Sequence, residues 1–155
     1  MQKVLATHLD TIAYAFPFGW FFGRFGCFVA FDHPGEPTRF FLGQVYRDGV
    51  VRHNLGLDEA LFTRSLAATF YLLGRRPRPV GFFVAFLPLL DAPFRFMADF
   101  LRVVDPRYEG LTLGQWSALG FVLLGIVLLW KTGWNGTNID AVFVPQAPSD
   151  VLSTH

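Results

Sequence analysis

The stretch LTLGQWSALGFVLLGIVLLW, residues 111–130, contains no charged residue and is followed directly by Lys131. An α-helix of this length spans about 30 Å, the thickness of the hydrocarbon core of a bilayer. We therefore predict a transmembrane helix here. The composition of the 155-residue chain agrees, because 52% of the residues are apolar and 19 are phenylalanine, more than a soluble domain of this length needs.

Three further segments are candidates for spanning the membrane, and their composition is less uniform. The first contains Pro17 and several glycines, so we expect a broken helix that does not face lipid. The fold class expected is therefore an all-α polytopic membrane protein with about four transmembrane helices, one broken or glycine-rich. We expect this bundle over residues 1–131, with spans at 9–31, 57–73, 79–102 and 111–130, one outer loop over roughly 32–56, and a flexible polar tail over 132–155.

Charge distribution gives an orientation and excludes some classes of protein. The dense basic turn GRRPR, residues 74–78, predicts a cytoplasmic turn with both termini inside and the loop outside. A net charge of +1 with mixed signs argues against a nucleic-acid partner. Because Cys27 is the only cysteine, we expect neither an internal disulfide nor a zinc motif, and we expect no metal or cofactor.

The segment 79–102 carries four charges that fall on one narrow helical face, within about 80° of one another. Each costs roughly 2.5–3.5 kcal/mol near the bilayer centre, so this face needs polar partners. Either the charges neutralise one another in a helix bundle, or an acidic pair orients Arg95 and leaves Arg102 to bind an anionic head group. We favour the second interpretation, because arginine stays charged and grips phosphate through two hydrogen bonds. The four residues are Asp91, Arg95, Asp99 and Arg102.

Arg24 raises the same question inside an apolar run. It is either an arginine that reaches to the interface or part of a ligand site, and the flanking Gly23 and Gly26 would let a ligand or a neighbouring helix approach the backbone. His33 and His53 are candidates for a general base, although both also stand in ordinary turn sequences. The spacings of the common hydrolase and nucleotide motifs are absent from the sequence.

Four blocks of the sequence, in order, resemble the bacterial prolipoprotein diacylglyceryl transferases. The LD at 9–10 followed by GWFFGRFGCF is similar to the family's Gly-Arg-x-Gly-Asn signature, with Cys27 where the family has asparagine and Asp32 where it has glutamate. The other blocks resemble its Arg-His, Arg-Phe-x-x-Glu-Phe-x-Arg and Gly-Gln segments. They are RHNLGLDEAL at 52–61, RFMADFLR at 95–102 and GLTLGQWSALGFVLLGI at 110–126.

The resemblance implies transfer of a diacylglyceryl group from phosphatidylglycerol to the lipobox cysteine of a prolipoprotein, at the outer face of the bacterial inner membrane. The alternatives are a non-catalytic phospholipid-binding accessory protein and, more weakly, a small transporter or channel subunit. Family members have further helices before the Gly-Arg motif. The resemblance therefore implies either the C-terminal part of a longer or split gene, in which a separate chain could supply those helices, or a reduced relative. The resemblance implies catalytic roles for Arg24 and Arg95, phospholipid binding by Cys27, Asp32, Asp99 and Arg102, and a base or supporting role for His53, His33 or Glu59.

Overall fold

Four long helices form the bulk of the molecule in a computed structural model that describes residues 2–103, 106–131 and 142–143. Each coincides with one of the predicted segments, with shifted ends. The third is shorter than predicted because Gly81, with a φ of 92°, precedes it and a 3₁₀ turn, Asp99–Leu101, follows it. The helices are α1 Gln2–Ala30, α2 Leu55–Gly74, α3 Phe82–Ala98 and α4 Leu113–Lys131.

The described chain is mostly helical, as expected, but short paired strands are also present outside the helices. Loop backbone groups need hydrogen-bond partners wherever they are shielded from water, and short antiparallel pairs supply them. Three strands in the loop between α1 and α2 form a sheet in the order β1-β3-β2, and two further pairs are β4 with β7 and β5 with β6. The strands are β1 Pro34–Pro37, β2 Gln44–Val45, β3 Val51–Asn54, β4 Arg78–Pro79, β5 Arg107–Tyr108, β6 Leu111–Thr112 and β7 Val142–Phe143. Apart from β7, the predicted flexible tail lies outside the described residues.

Helix α1 also corrects the sequence-based expectation, because it is continuous from Gln2 to Ala30 with Pro17 inside it. A proline removes one backbone hydrogen bond of a helix, and here that loss does not end the helix. A Cβ atom added at Gly19, Gly23 or Gly26 would meet nothing within 4 Å. These glycines therefore do not serve the close approach of any described helix.

The helices pack in pairs, α1 against α2 and α3 against α4. Phenylalanine dominates the core, where Phe70 and Phe83 are fully buried beside Leu66 and Phe82. At Gly125 a Cβ atom would come within 2.6 Å of Leu89, so α4 lies directly against α3 at this point. This close approach holds the fourth helix in place although most of its other side chains are exposed.

Two helices of the described chain are long and apolar enough to cross a membrane, over Val4–Ala30 and Leu113–Lys131. The side chains that α4 turns outward are large and apolar, and Trp130 at its end is 84% exposed. Exposed apolar helix surface of this extent is typical of a protein that contacts lipid. The structure thus supports membrane character.

The beginning of α3 is capped by a residue from another helix. Its own N-cap residue, Gly81, has no side chain to offer. The carboxylate of Asp10, which is fully buried in α1, accepts a hydrogen bond of 3.0 Å from the backbone nitrogen of Val84. A carboxylate at this position also complements the positive end of the helix dipole. Asp10 therefore fixes where α3 begins relative to α1.

Candidate functional site

Glu59 lies between two arginines near the junction of α1 and α2. Its Oε2 atom is 2.6 Å from Nε of Arg24, and its Oε1 atom is 3.3 Å from a terminal nitrogen of Arg102. The helices approach closely here because Gly56 has no side chain: a Cβ atom at Gly56 would come within 2.6 Å of the backbone nitrogen of Phe28. Glu59, one turn after Gly56, thus reaches Arg24, one turn before Phe28.

Arg95 joins this group through Trp20 and Asp91. The guanidinium carbons of Arg24 and Arg95 lie 5.7 Å and 5.4 Å from the centre of the Trp20 ring, close enough for cation–π attraction. Asp91 contacts Nε of Arg95 only loosely, at 3.8 Å. The arginines predicted from the sequence therefore meet at one place. We call Arg24, Arg95 and Arg102, with Glu59 and Asp99, the arginine cluster.

Asp99 is only 3% exposed and anchors the cluster to α4. One carboxylate oxygen lies 3.2 Å from Nε of Arg102, and the other accepts a hydrogen bond from the Thr112 hydroxyl. Thr112 caps the beginning of α4. Its hydroxyl accepts a hydrogen bond of 3.1 Å from the backbone nitrogen of Gln115. In return, the side-chain oxygen of Gln115 accepts a hydrogen bond of 3.0 Å from the backbone nitrogen of Thr112. This reciprocal arrangement is a capping box. Asp99 is thus placed to orient Arg102 rather than to contact lipid directly.

The space inside the cluster is small. A cavity of about 10 Å³ lies among Trp20, Glu59, Asp91, Arg95 and Asp99, which is hardly room for one water molecule. The Arg95 side chain is 28% exposed and is the least buried of the three arginines. The cluster is therefore most accessible from the side of Arg95.

His53 lies beside a carboxylate that the sequence did not single out. Its Nδ1 atom is 3.5 Å from Oδ2 of Asp58, and its ring stacks at 5.8 Å on Phe40. His53 and Asp58 line an open groove of about 530 Å³, which is also lined by Phe62 and Phe94. A carboxylate beside an imidazole can hold the ring in one orientation. The pair therefore has the parts of a general base with an orienting group.

Cys27, Asp32 and His33 form a separate group at the end of α1. Their ligand atoms all lie within 4.8 Å of one another. The structure thus places Glu59 in the arginine cluster and His53 beside Asp58, and it groups Cys27, Asp32 and His33 with one another. Their roles stay predictions.

The sheet formed by β1, β2 and β3 makes further polar contacts near this group. Tyr46 donates a hydrogen bond from its hydroxyl to the carbonyl of His33 at 3.3 Å. Burial raises the pKa of Tyr46, and the negative charge of Asp58 raises it further, so the hydroxyl keeps its proton. A hydrogen bond from the backbone of Val50 and another from Arg52 lower the pKa of exposed Asp48.

Several members of the site were missed from the sequence, and each for a reason. Trp20 and Thr112 look like an apolar core residue and an ordinary helix cap until their partners are known. Asp58 lies five residues after His53, a spacing that does not by itself predict contact between the two side chains. The only usable signal was Gln115, whose spacing from Thr112 fits a capping box.

Comparison with protein families shows which family shares this part of the chain. A family model described as prolipoprotein diacylglyceryl transferase matches residues 2–131. The chain belongs to this family. The match includes both α1, which carries Arg24, and α4, which anchors Asp99, so the whole arginine cluster lies within the region shared with prolipoprotein diacylglyceryl transferases.

Curated relatives are named phosphatidylglycerol–prolipoprotein diacylglyceryl transferases. One from Nitratidesulfovibrio vulgaris strain DP4 is 35% identical over 136 residues, which cover 83% of this chain and 52% of the relative. Another, from the Miyazaki F strain, is 37% identical over 79% of this chain and 47% of its own length. A third, from Nitrosospira multiformis, is 32% identical over 77% of this chain and 44% of the relative. The chain thus spans about half the length of these relatives. No solved structure matches it significantly.

Proposed function

We propose that this chain takes part in the transfer of a diacylglyceryl group from phosphatidylglycerol to the lipobox cysteine thiol of prolipoproteins, and that the arginine cluster is the part of the site that binds the phosphate. The observation that carries the proposal is the convergence of Arg24, Arg95 and Arg102 around Glu59 and Trp20. Asp91 and Asp99 also pair with these arginines, but the contact of Asp91 with Arg95 is long, at 3.8 Å, so Arg95 is held only loosely.

The reaction suits such a cluster. The thiolate attacks the glyceryl carbon, a carbon–sulfur bond forms, and the carbon–oxygen bond to phosphate breaks. The bonding electrons go to the phosphate oxygen, so negative charge builds up on the leaving glycerol phosphate. Preorganised arginines in a site with little water stabilise that charge strongly.

The three arginines differ in how firmly their acidic partners hold them, and so they differ in their proposed roles. Glu59 fixes Arg24 and Arg102, and Asp99 holds Arg102 from a second side. Arg95 has the longest ion-pair contact of the three, at 3.8 Å, so a phosphate can displace Asp91 from it at small cost. Arg95 is therefore the arginine that binds phosphate first, and Arg24 is held ready beside it across Trp20.

The proton of the attacking thiol needs an acceptor, and His53 is our candidate. Asp58 at 3.5 Å from Nδ1 leaves the opposite ring nitrogen to accept a proton. The groove that His53 lines is bordered by Leu61, Phe62 and Met97, and this apolar lining suits a lipobox segment or an acyl chain.

The position in the membrane follows from the two ends of the bundle. The arginine cluster lies at the end of α1 and the beginning of α2, whereas Arg75, Arg76 and Arg78 lie at the opposite end of α2. Because basic turns stay in the cytoplasm, we place the site toward the outer face of the bacterial inner membrane, with all four helices spanning it. This proposal includes α2, in which Glu59 and Thr63 are buried, and α3, in which Asp91 and Arg95 are partly buried.

The test is complementation of a bacterium depleted of its own diacylglyceryl transferase. The chain is expressed alone and together with the N-terminal half of a full-length relative, supplied as a separate chain, and lipidation of a reporter prolipoprotein is measured. Arg24→Ala and Arg95→Ala are expected to lower transfer by about 100-fold or more while the protein still accumulates. Arg64→Ala, at an exposed position of α2, is the matched control and should behave like the wild type.

Binding to vesicles with and without phosphatidylglycerol separates this function from the alternative. The chain would be a non-catalytic phospholipid-binding accessory protein if its vesicle binding depends on Arg95 and if it supports no transfer, whether expressed alone or with the N-terminal half of a relative. Wild-type transfer by Arg24→Ala and Arg95→Ala would remove the cluster from the mechanism altogether.

A further inference from the structure

We propose that Cys27, Asp32 and His33 bind a zinc ion at the C-terminal end of α1. The thiol, the carboxylate and the imidazole offer three ligand atoms within 4.8 Å of one another. Cys27 is a free cysteine, and both it and His33 are partly buried. The site is distinct from the arginine cluster and does not depend on the proposed transferase function.

The chain brings these residues together by reversing at the end of the helix. Phe31 adopts a left-handed conformation, with a φ of 56°. The backbone nitrogen of Asp32 then donates a hydrogen bond of 3.4 Å to the carbonyl of Cys27. This bond is characteristic of a helix end at which the chain folds back over the last turn. Residues five and six positions after Cys27 thus return to its side, which the sequence spacing alone does not reveal.

The surrounding sheet holds the third ligand in place. The carbonyl of His33 accepts hydrogen bonds from the hydroxyl of Tyr46 at 3.3 Å and from the backbone nitrogen of Leu55 at 3.2 Å. Its backbone is therefore tied both to the outer loop and to the beginning of α2. A ligand fixed in this way loses little further freedom when it binds a metal.

The imidazole of His33 has an unsatisfied atom. Within the described part of the chain, its Nδ1 atom is buried and meets no hydrogen-bond partner. A buried polar atom without a partner is unfavourable, and such atoms in native structures call for an explanation. Coordination of a metal ion by a nitrogen of the His33 ring would remove the need for this partner, once the ring rotates or its proton moves to the other nitrogen.

The types of ligand favour zinc over other divalent ions. Mg²⁺ and Ca²⁺ prefer oxygen ligands, whereas a thiolate with an imidazole and a carboxylate suits Zn²⁺. Tetrahedral zinc with bonds of about 2.0–2.3 Å places its ligands about 3.3–3.8 Å apart. Side-chain rotations that shorten the present separations by about 1 Å are therefore sufficient. Three protein ligands leave a fourth position for water or another group.

The test uses the purified full chain in mild detergent and titration with Co²⁺, a spectroscopic substitute for Zn²⁺. We expect one equivalent to bind, with the near-ultraviolet charge-transfer band of a cobalt–thiolate bond and the visible bands of a tetrahedral site, and we expect Zn²⁺ to abolish both. Cys27→Ser should eliminate the charge-transfer band. His33→Ala and Asp32→Asn should each weaken binding by more than about tenfold, since even residues that only support metal ligands contribute about 10–100-fold.

Matched controls separate the site from ordinary surface binding. His53→Ala removes a histidine of the same loop, and Asp48→Asn removes an exposed loop carboxylate; neither should change the spectrum or the affinity. Circular dichroism checks that each variant is folded. A folded wild-type protein that shows no charge-transfer band with Co²⁺, or whose binding is unchanged by His33→Ala, would overturn the proposal.

Discussion

Glu59 shows how a single side chain can organise a charged site in an apolar protein. Its two oxygens face arginines from two different segments, and its side chain is only 10% exposed. Taking such charges out of water is costly, and the attraction between them offsets that cost only while every partner is present. When Glu59 loses its charge, the positive charges of Arg24 and Arg102 lose the carboxylate that they share and repel each other.

We therefore expect Glu59→Gln to lower the free energy of unfolding by about 1–3 kcal/mol, less than for a fully buried pair because both arginines are partly exposed. The measurement is the unfolding temperature in mild detergent, followed by tryptophan fluorescence. Asp48→Asn, which removes the exposed pair with Arg52, is the control and should cost less than about 1 kcal/mol. Equal shifts for the two variants would contradict a bridging role for Glu59.

The sequence identified the arginines of the site but not their neighbours, and the difference has a physical cause. A charge within an apolar run is costly wherever the chain places it, so Arg24 and Arg95 stand out without any structure. Trp20 is one aromatic residue among many, and Thr112 acquires its role only when Asp99 approaches it. Such contacts depend on tertiary packing and leave no local signal.

At the scale of elements, the junction between α1 and α3 depends on a cap supplied by another helix. We expect Asp10→Ala to destabilise the protein by about 1–2 kcal/mol, because the first turn of α3 loses its acceptor. Asp10→Asn keeps a side-chain oxygen and should recover part of that loss. The readout is the rate of tryptic cleavage after Arg75, which should rise as α3 frays; the bond after Arg76 precedes Pro77 and resists trypsin.

Thr11→Ala is the control for this experiment, because the Thr11 hydroxyl bonds to the carbonyl of Thr7 in its own helix. Its cleavage rate should match that of the wild type. An Asp10→Ala protein that is cleaved no faster than Thr11→Ala would show that α3 does not need the cap.

The beginning of α4 gives a second test, from two glycines of one helix. A Cβ atom at Gly114 would collide with the carboxylate of Asp99, whereas one at Gly120 would meet nothing within 4 Å. Gly114→Ala should therefore displace Asp99 and destabilise the protein by about 1–3 kcal/mol. Gly120→Ala should be neutral or slightly stabilising, because alanine favours helix over glycine. Equal unfolding temperatures for the two variants would exclude the close contact at Gly114.

The positions of the helices were predictable, whereas their ends and the strands were not. Long apolar runs such as 111–130 leave few alternatives to a helix. Strands of two residues, such as Gln44–Val45, are too short to show an alternating pattern, and they form only because neighbouring helix ends bring them together. Pro17 predicted a break that the structure lacks, since one lost hydrogen bond does not outweigh the packing of a long helix.

At the scale of the whole molecule, polar groups concentrate at the two ends of the helices and differ in kind. The arginine cluster at one end has its acidic partners, whereas Arg75 and Arg76 at the other end form an exposed basic turn. An exposed basic turn is retained in the cytoplasm, and a site for a head group belongs at a membrane surface. The two ends thus predict the same orientation, with the basic turn in the cytoplasm and the arginine cluster toward the outer face.

Cysteine labelling in intact cells tests this orientation. In a Cys27→Ser background, Asp48→Cys should react with a membrane-impermeant maleimide added outside, because β2 and β3 belong to the outer loop. Arg76→Cys should react only after the membrane is permeabilised. The Cys27→Ser parent without a new cysteine gives the background signal, and labelling after permeabilisation confirms that each variant is present. Protection of Asp48→Cys together with labelling of Arg76→Cys from outside would reverse the topology, and would place the arginine cluster on the face opposite to the one where we propose that it binds phosphatidylglycerol.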